Sequence, residues 1–169
     1  MISAAVEALS DRRTKLAENA FRQLLRTTDL VERAMQPWFA RFGITGAQWG
    51  VLHNLHWAEA EGRATLRLTD LSERLLIRPP SVTGVVDRLE RACLVARADS
   101  ATDLRVKDVA LTPRGRRLVK RVLTGHAAQV ESVMEVLTPV EQGKLQRLLR
   151  RMEAHLDGLL AGSGRGADG

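Results

Sequence analysis

The chain has 169 residues, 44% hydrophobic and 27% charged, with a formal net charge of +6. That is enough for one domain with helical extensions and a core that needs no disulfide or metal. A single cysteine, Cys93, excludes an internal disulfide framework and fits a reducing cytoplasm. The opening MISAAVEALSDRR lacks the basic start and long apolar run of a signal peptide, and no stretch approaches the ~18 consecutive apolar residues of a membrane span, so a cytoplasmic protein without a membrane partner is expected.

Ser10 or Asp11 is placed to cap a long first helix reaching about Arg41. Its positions Ala17, Phe21, Leu24, Thr28, Val31, Met35 and Trp38 recur at alternating spacings of four and three, a coiled-coil-like seam. A helix of this length near a terminus has little to pack against in its own domain, which predicts packing partly on another subunit. Pro37 falls in its last turn and Gly43 ends it. Thr45 and Gln48, at capping-box spacing, then open a second helix to about Glu59.

Leu66-Arg67-Leu68 reads as a short strand. Thr69 is expected to cap a short helix over 70–76, with Leu71 and Leu75 inward. Pro79-Pro80 starts the next helix, since proline suits a first helical turn. Val82, Val85, Val86 and Leu89 form its buried stripe, while Ser81, Thr83, Gly84, Asp87, Arg88 and Arg91 face outward. Two helices joined by a turn, the second exposing small polar and basic residues, make a helix-turn-helix. Residues 94–99 and 106–111 alternate as two strands about a tip at 100–105, completing a winged helix. Thr112-Pro113 caps a helix running to about Leu137. Thr138 and Glu141 form a second capping box, and Leu145, Leu148, Met152, Leu156 and Leu159 mark the last helix.

The charge is unevenly spread. Residues 78–121 hold eleven basic and five acidic side chains, an excess equal to the +6 of the whole chain. A basic surface built on a helix and a hairpin is the electrostatic footprint of a nucleic-acid-binding module.

The stretch from Leu68 to Val119 resembles the MarR family of bacterial transcription regulators. The resemblance rests on Asp87-Arg88-Leu89-Glu90 at the end of the recognition helix, Leu94-Val95 leading to Arg97, Asp103-Leu104-Arg105 in the wing, and Leu111-Thr112-Pro113-Arg114-Gly115 after it. No single piece is specific, but four in order at the right spacing are. It implies a mainly α fold with a small β-wing: a winged helix-turn-helix core over 46–115, an N-terminal dimerisation helix over 10–45, C-terminal dimerisation helices over 116–160 and a disordered tail over 161–169. It further implies a homodimeric regulator of double-stranded DNA, most often a repressor, reading a pseudo-palindromic operator and released by a small aromatic or phenolic effector. Arg78, Ser81, Thr83, Gly84 and Arg88 are expected at DNA, and Arg105 in the minor groove beside the recognised major groove. Asp103 and Arg97 would hold the wing, with Arg97 or Arg105 as partner to Asp103. Two departures stand out: Cys93 occupies the position where the family usually has glycine, and Gly84 stands where many members carry a larger residue.

Five of the six aromatic residues fall between Trp38 and Trp57. Trp38, Trp49 and Trp57, with His53 and His56, either fill the core where two helices cross or, by the resemblance, line an effector pocket. Histidines at i and i+3 can converge on a metal, but no cysteine or carboxylate partner stands near, so neither a metal nor a cofactor is expected. Cys93 is expected to be a small buried side chain rather than a redox sensor. The arginines following the wing, from Arg114 to Arg121, are left between phosphate contacts and a solvated face. The absence of a glycine-rich phosphate loop or a catalytic constellation argues against an enzyme. A helical interaction protein, using its basic face on a membrane surface or an acidic partner, is the alternative from another class.

Overall fold

Helix-start and helix-stop chemistry sets most of the boundaries. The computed structural model describes residues 2–75, 79–99 and 107–163; Arg78, Asp103 and Arg105, three of the expected site residues, lie outside them. The elements are α1 (Ile2–Ala40), α2 (Gly46–Ala60), β1 (Leu66–Arg67), α3 (Leu68–Leu75), α4 (Pro79–Arg91), β2 (Val95–Asp99), β3 (Lys107–Leu111), α5 (Pro113–Met134) and α6 (Pro139–Ser163). The fold is mainly helical with a small β-wing. Both capping boxes form. The Thr45 hydroxyl accepts the Gln48 N–H while Gln48 Oε1 accepts the Thr45 N–H at 2.9 Å, and Thr138 and Glu141 make the same exchange.

Some boundaries differ from expectation. Helix α1 begins at Ile2, so Ser10 and Asp11 lie inside it and do not cap it. Upstream Ala4, Ala5, Glu7, Ala8 and Leu9 are good helix formers, and a capping-type residue does not halt a run of them. Helix α3 starts at Leu68, one residue before the expected cap Thr69. Here Asp70 supplies the cap, its carboxylate accepting the Arg67 N–H at 3.2 Å. Helix α5 stops at Met134, and α6 continues into the glycine-rich segment as far as Ser163.

Three helices end in one and the same turn. In each, the N–H groups of the two residues past the cap reach back to the last turn, the bond pattern of a Schellman motif. After α1 these are Gly43 to Ala40 and Ile44 to Phe39; after α2, Gly62 to Glu59 and Arg63 to Ala58; after α4, Cys93 to Glu90 and Leu94 to Leu89. The turn needs a left-handed residue, and Gly43, Gly62 and Cys93 have φ of 71°, 82° and 57°. So the turn survives the loss of glycine, at a backbone cost. The left-handed geometry also leaves the Cys93 side chain exposed, not buried as expected. Cys93→Gly is expected to stabilise the fold by about 1 kcal/mol, a rise of roughly 3 °C in Tm. An equal or lower Tm by calorimetry would show that the turn is unstrained.

The chain divides into two compact units, 1–129 and 130–169. In the first, α2 is the central helix: Trp49, Val51, Leu52, Leu55 and Ala58 are all buried. Leu71 from α3, Val82, Val86 and Leu89 from α4, and Val119 and Val122 from α5 close around it. The hairpin β2–β3 gains a third strand, in the order β1-β3-β2, all antiparallel, with Leu66 opposite Val109 and Arg97 also opposite Val109 from the other side. Val95, Val109 and Leu111 turn their side chains into the core. The short strand before α3 thus roots the wing beneath the helix-turn-helix. In the second unit α6 carries a row of exposed apolar side chains, Leu148, Met152, Leu156 and Leu159 among them.

Candidate nucleic-acid interface

Helix α4 buries Val82, Val85, Val86 and Leu89 and turns its other face out. On that face Ser81 and Arg88 are exposed, and Thr83 and Gly84 half-buried. The Arg88 guanidinium folds back over Gly84, where a Cβ would sit 3.8 Å from its Nη1. Nothing in the fold therefore requires glycine at 84, although glycine inside a helix costs about 0.5–1 kcal/mol relative to alanine. An external surface that approaches the backbone closely would account for it.

Asp87 and Glu90 are the only acidic residues of α4. Both are bound by Arg97 of β2: its two terminal nitrogens donate to Asp87 Oδ1 at 2.6 Å and to Glu90 Oε2 at 2.7 Å, and its backbone N–H to Glu90 Oε1 at 3.1 Å. Its side chain is 21% exposed. Burial opposes its charge, but the hydrogen bonds to Asp87 and Glu90 outweigh burial and raise its pKa above the ordinary value. Arg97 thus ties β2 to α4. The carboxylates it uses come from the Asp87-Arg88-Leu89-Glu90 run, for which the residue pattern alone had offered no structural role. The single guanidinium charge offsets one of the two carboxylate charges and ties both carboxylates to β2.

The base of the wing is tied at one carbonyl. Leu94 O accepts the Thr112 N–H at 3.1 Å. The Thr112 hydroxyl donates to Cys93 O at 2.8 Å and accepts the Gly115 N–H at 3.0 Å, capping α5. Gly115 is buried against Leu94, and a Cβ on it would run into the Leu94 carbonyl oxygen. Arg116, next along, forks onto Glu59 of α2 with bonds of 2.6–3.1 Å.

The aromatic residues expected to line one pocket separate into two groups. Trp49 stacks on Phe39 and on His53, with centroids 5.8 and 4.9 Å away. His126 of α5, which the residue pattern did not flag, packs on Trp49, Phe39 and His53. Trp57, 54% exposed, donates its indole N–H to His53 Nε2 at 2.9 Å. Trp38 instead meets Phe42 edge-on and lies against Gly125 of α5. His56 is half-buried on α2. Two clefts among the described residues, of about 480 and 460 Å³, are lined by other side chains. No group of three or more His, Cys, Asp or Glu among the described residues could hold a metal, and no described helix is long and apolar enough to cross a membrane.

The His53–His126 pair makes stability depend on pH. Burial, then the charges of His126 and His56, hold the pKa of His53 below its ordinary 6.5, and burial lowers that of His126. The Trp57 bond, which needs an unprotonated Nε2, acts in the same direction. The unfolded chain thus binds more protons than the folded one below pH 6.5. The stability these neutral rings contribute is full above that value and is lost as pH falls towards their folded pKa values. Thermal melts between pH 7.5 and 5, taken as a rough bracket of the histidine range, should show Tm falling with pH, and less steeply in His126→Gln. Parallel curves would sink the assignment.

A helix-turn-helix with a three-stranded wing tied to its second helix defines a winged-helix fold. The model of the MarR family matches residues 42–105. The transcriptional repressor MdtR of Bacillus subtilis is 34% identical over 99 residues, spanning 59% of this chain and 61% of MdtR. Sco3205, a MarR family regulator from Streptomyces coelicolor solved in complex with DNA, superposes with a TM-score of 0.73 at 27% identity, over 82% of this chain and 90% of its own. BpsR of Bordetella bronchiseptica, whose DNA binding is regulated by 6-hydroxynicotinic acid, gives 0.70 at 27%, over 80% and 98%. Over most of its length the chain is therefore similar to winged helix-turn-helix transcriptional regulators of the MarR family.

Proposed function

We propose that the protein is a homodimeric repressor that holds a pseudo-palindromic duplex operator and leaves it when a small aromatic effector binds. The observation that carries the DNA reading is the outward face of α4, whose two carboxylates are both held by Arg97. Ser81, Thr83 and Arg88 meet base edges or phosphates in the major groove, with Gly84 admitting close approach. Arg78 contacts the backbone. Arg105 enters the neighbouring minor groove, where a narrow A·T-rich stretch favours inserted arginine, and Asp103 steadies the wing.

Exposed apolar side chains support the dimer: Phe21, Leu25 and Val31 on α1, and Leu148, Met152, Leu156 and Leu159 on α6. Stripes of this kind mark association surfaces. A second copy covering them would hold two recognition helices about one DNA turn, roughly 34 Å, apart. MdtR, a repressor, and BpsR, which responds to 6-hydroxynicotinic acid, support repression and effector release. The ring contacts of Trp49 and Trp38 favour a core role for those two, leaving His53, His56 and Trp57 at the rim of the junction for an aromatic effector.

Selection of bound sequences from random duplex DNA, repeated with aromatic acids present, tests the reading. A pseudo-palindrome should emerge, and Arg105→Ala should weaken binding to it roughly tenfold at fixed salt without changing the dimer. Binding with no duplex preference, matched by binding to anionic vesicles, would favour the interaction-protein alternative instead.

A further inference from the structure

We infer that Arg88 reads one guanine in each half-site, and that Gly84 is its positioning residue, leaving open the space through which the guanidinium reaches the middle of the outward face of α4. The inference deepens the duplex reading proposed above and rests on it.

Helix α4 carries four charged side chains, Asp87, Arg88, Glu90 and Arg91. Three are engaged within the protein. Asp87 and Glu90 are held by Arg97, and Arg91 donates from Nε to the Asp87 carbonyl oxygen at 3.2 Å. Arg88 is exposed and makes no hydrogen bond or ion pair with a described residue. It is the cation of this helix that is left for an external partner.

Its position is nevertheless set by its neighbour. A long side chain on a helix leans towards the N-terminus and covers the turn before its own Cα. For Arg88 that turn holds Gly84, and Nη1 lies 3.8 Å from where a Cβ of residue 84 would stand. Around the helix axis Gly84 is roughly opposite the buried stripe of Val82, Val85, Val86 and Leu89, with Arg88 about 40° to one side. Leaning over Gly84 therefore carries the guanidinium from the flank of the exposed face to its middle. A side chain reaching beyond Cβ at residue 84 would claim the same place.

A fork held at the middle of that face meets the floor of a major groove rather than the phosphates at its rims. The guanidinium has donors only. Guanine presents two acceptors there, N7 and O6, whereas adenine and cytosine present an amino donor and thymine one acceptor beside a methyl group. The pairing gives glycine at 84 a use that the fold itself does not supply. Close approach of the helix backbone to DNA is the other use open to it, and the two leave different marks.

Selection from random duplex DNA by the full chain, then competition binding of single-base-pair variants of the selected site at one salt concentration, tests the assignment. The parent should prefer guanine at one position of each half-site by about tenfold or more. Arg88→Ala should abolish that preference and keep those at other positions. Gly84→Leu should lose the same preference with Arg88 intact, since leucine suits a helix and occupies the place of the fork. Arg91→Ala should retain it. Arg88→Ala binding every duplex more weakly by one factor, with all base preferences kept and a shallower salt slope, would make Arg88 a phosphate contact and overturn the inference. Gly84→Leu weakened equally on all duplexes, its guanine preference kept, would overturn the positioning role in favour of close approach. Both outcomes leave the parent's selected site standing, whereas a parent that selects no common sequence would remove the duplex reading itself.

Discussion

Gly115→Ala is expected to destabilise the protein by about 3 kcal/mol or more, lowering Tm by roughly 6–12 °C. The clash is with backbone, and backbone cannot rotate away. The added Cβ meets the Leu94 carbonyl oxygen and would lie 3.1 Å from its carbon and 3.3 Å from Leu111 Cδ2. That carbonyl also accepts the Thr112 N–H, and the Thr112 hydroxyl caps α5 through Gly115 itself. Relieving the clash therefore breaks the root of the wing, and the turn after α4 moves with it. A loss this large is a sizeable share of the 5–15 kcal/mol typical of a domain. Gly84→Ala is the matched control: its Cβ meets only Arg88 at an ordinary distance, so stability should hold or rise slightly. If Gly115→Ala melts within about 2 °C of the parent, the tight junction is not what the fold depends on.

Arg97→Ala should damage both stability and DNA binding. Two charge-assisted hydrogen bonds disappear, and with Asp87 and Glu90 about 40% exposed, screening limits the stability loss to about 2 kcal/mol. The effect on binding is expected to be larger in proportion. Two carboxylates, no longer held or partly offset by a cation, would stand on the recognition helix facing a polyanion, and the wing would lose its hold on that helix. A fall in duplex affinity on the order of 30- to 100-fold is expected from repulsion and loosened geometry together. Arg97→Lys keeps the charge but cannot fork onto two carboxylates. It should recover most of the electrostatic part and little of the geometric part, giving an intermediate affinity. Binding isotherms for the three proteins at one salt concentration provide the check, and equal affinities would remove Arg97 from any role at the interface.

Local signals were the legible ones. Thr45 with Gln48 and Thr138 with Glu141 announced helix starts because each box closes within four residues, independent of the rest of the fold. The valine stripe of α4 was readable for a similar reason: a 3.6-residue period leaves a trace in any short window. What depended on distant pairing was not. Arg97 finds Asp87 and Glu90 because the hairpin folds back over α4, a pairing that no short window of sequence shows. His126 joins Trp49 and His53 across more than seventy positions. Trp38 and Phe39 are neighbours in sequence, but about 100° apart around a helix, so only Phe39 reaches the Trp49 stack. Cys93 shows a limit of another kind. Cysteine stands where glycine is usual, yet the turn is kept and the residue bears the left-handed φ.

The double grip of Arg97 has a mechanical meaning if α4 and the wing both touch DNA, as proposed. Fastened together by it, the two would not slide independently to fit a stretched or compressed site. The half-site would then be gauged as a length as well as read as letters. One base pair inserted between the segment under α4 and the segment under the wing would shift them by about 3.4 Å and some 35° of helical twist, putting them out of phase even where every contacted base is correct.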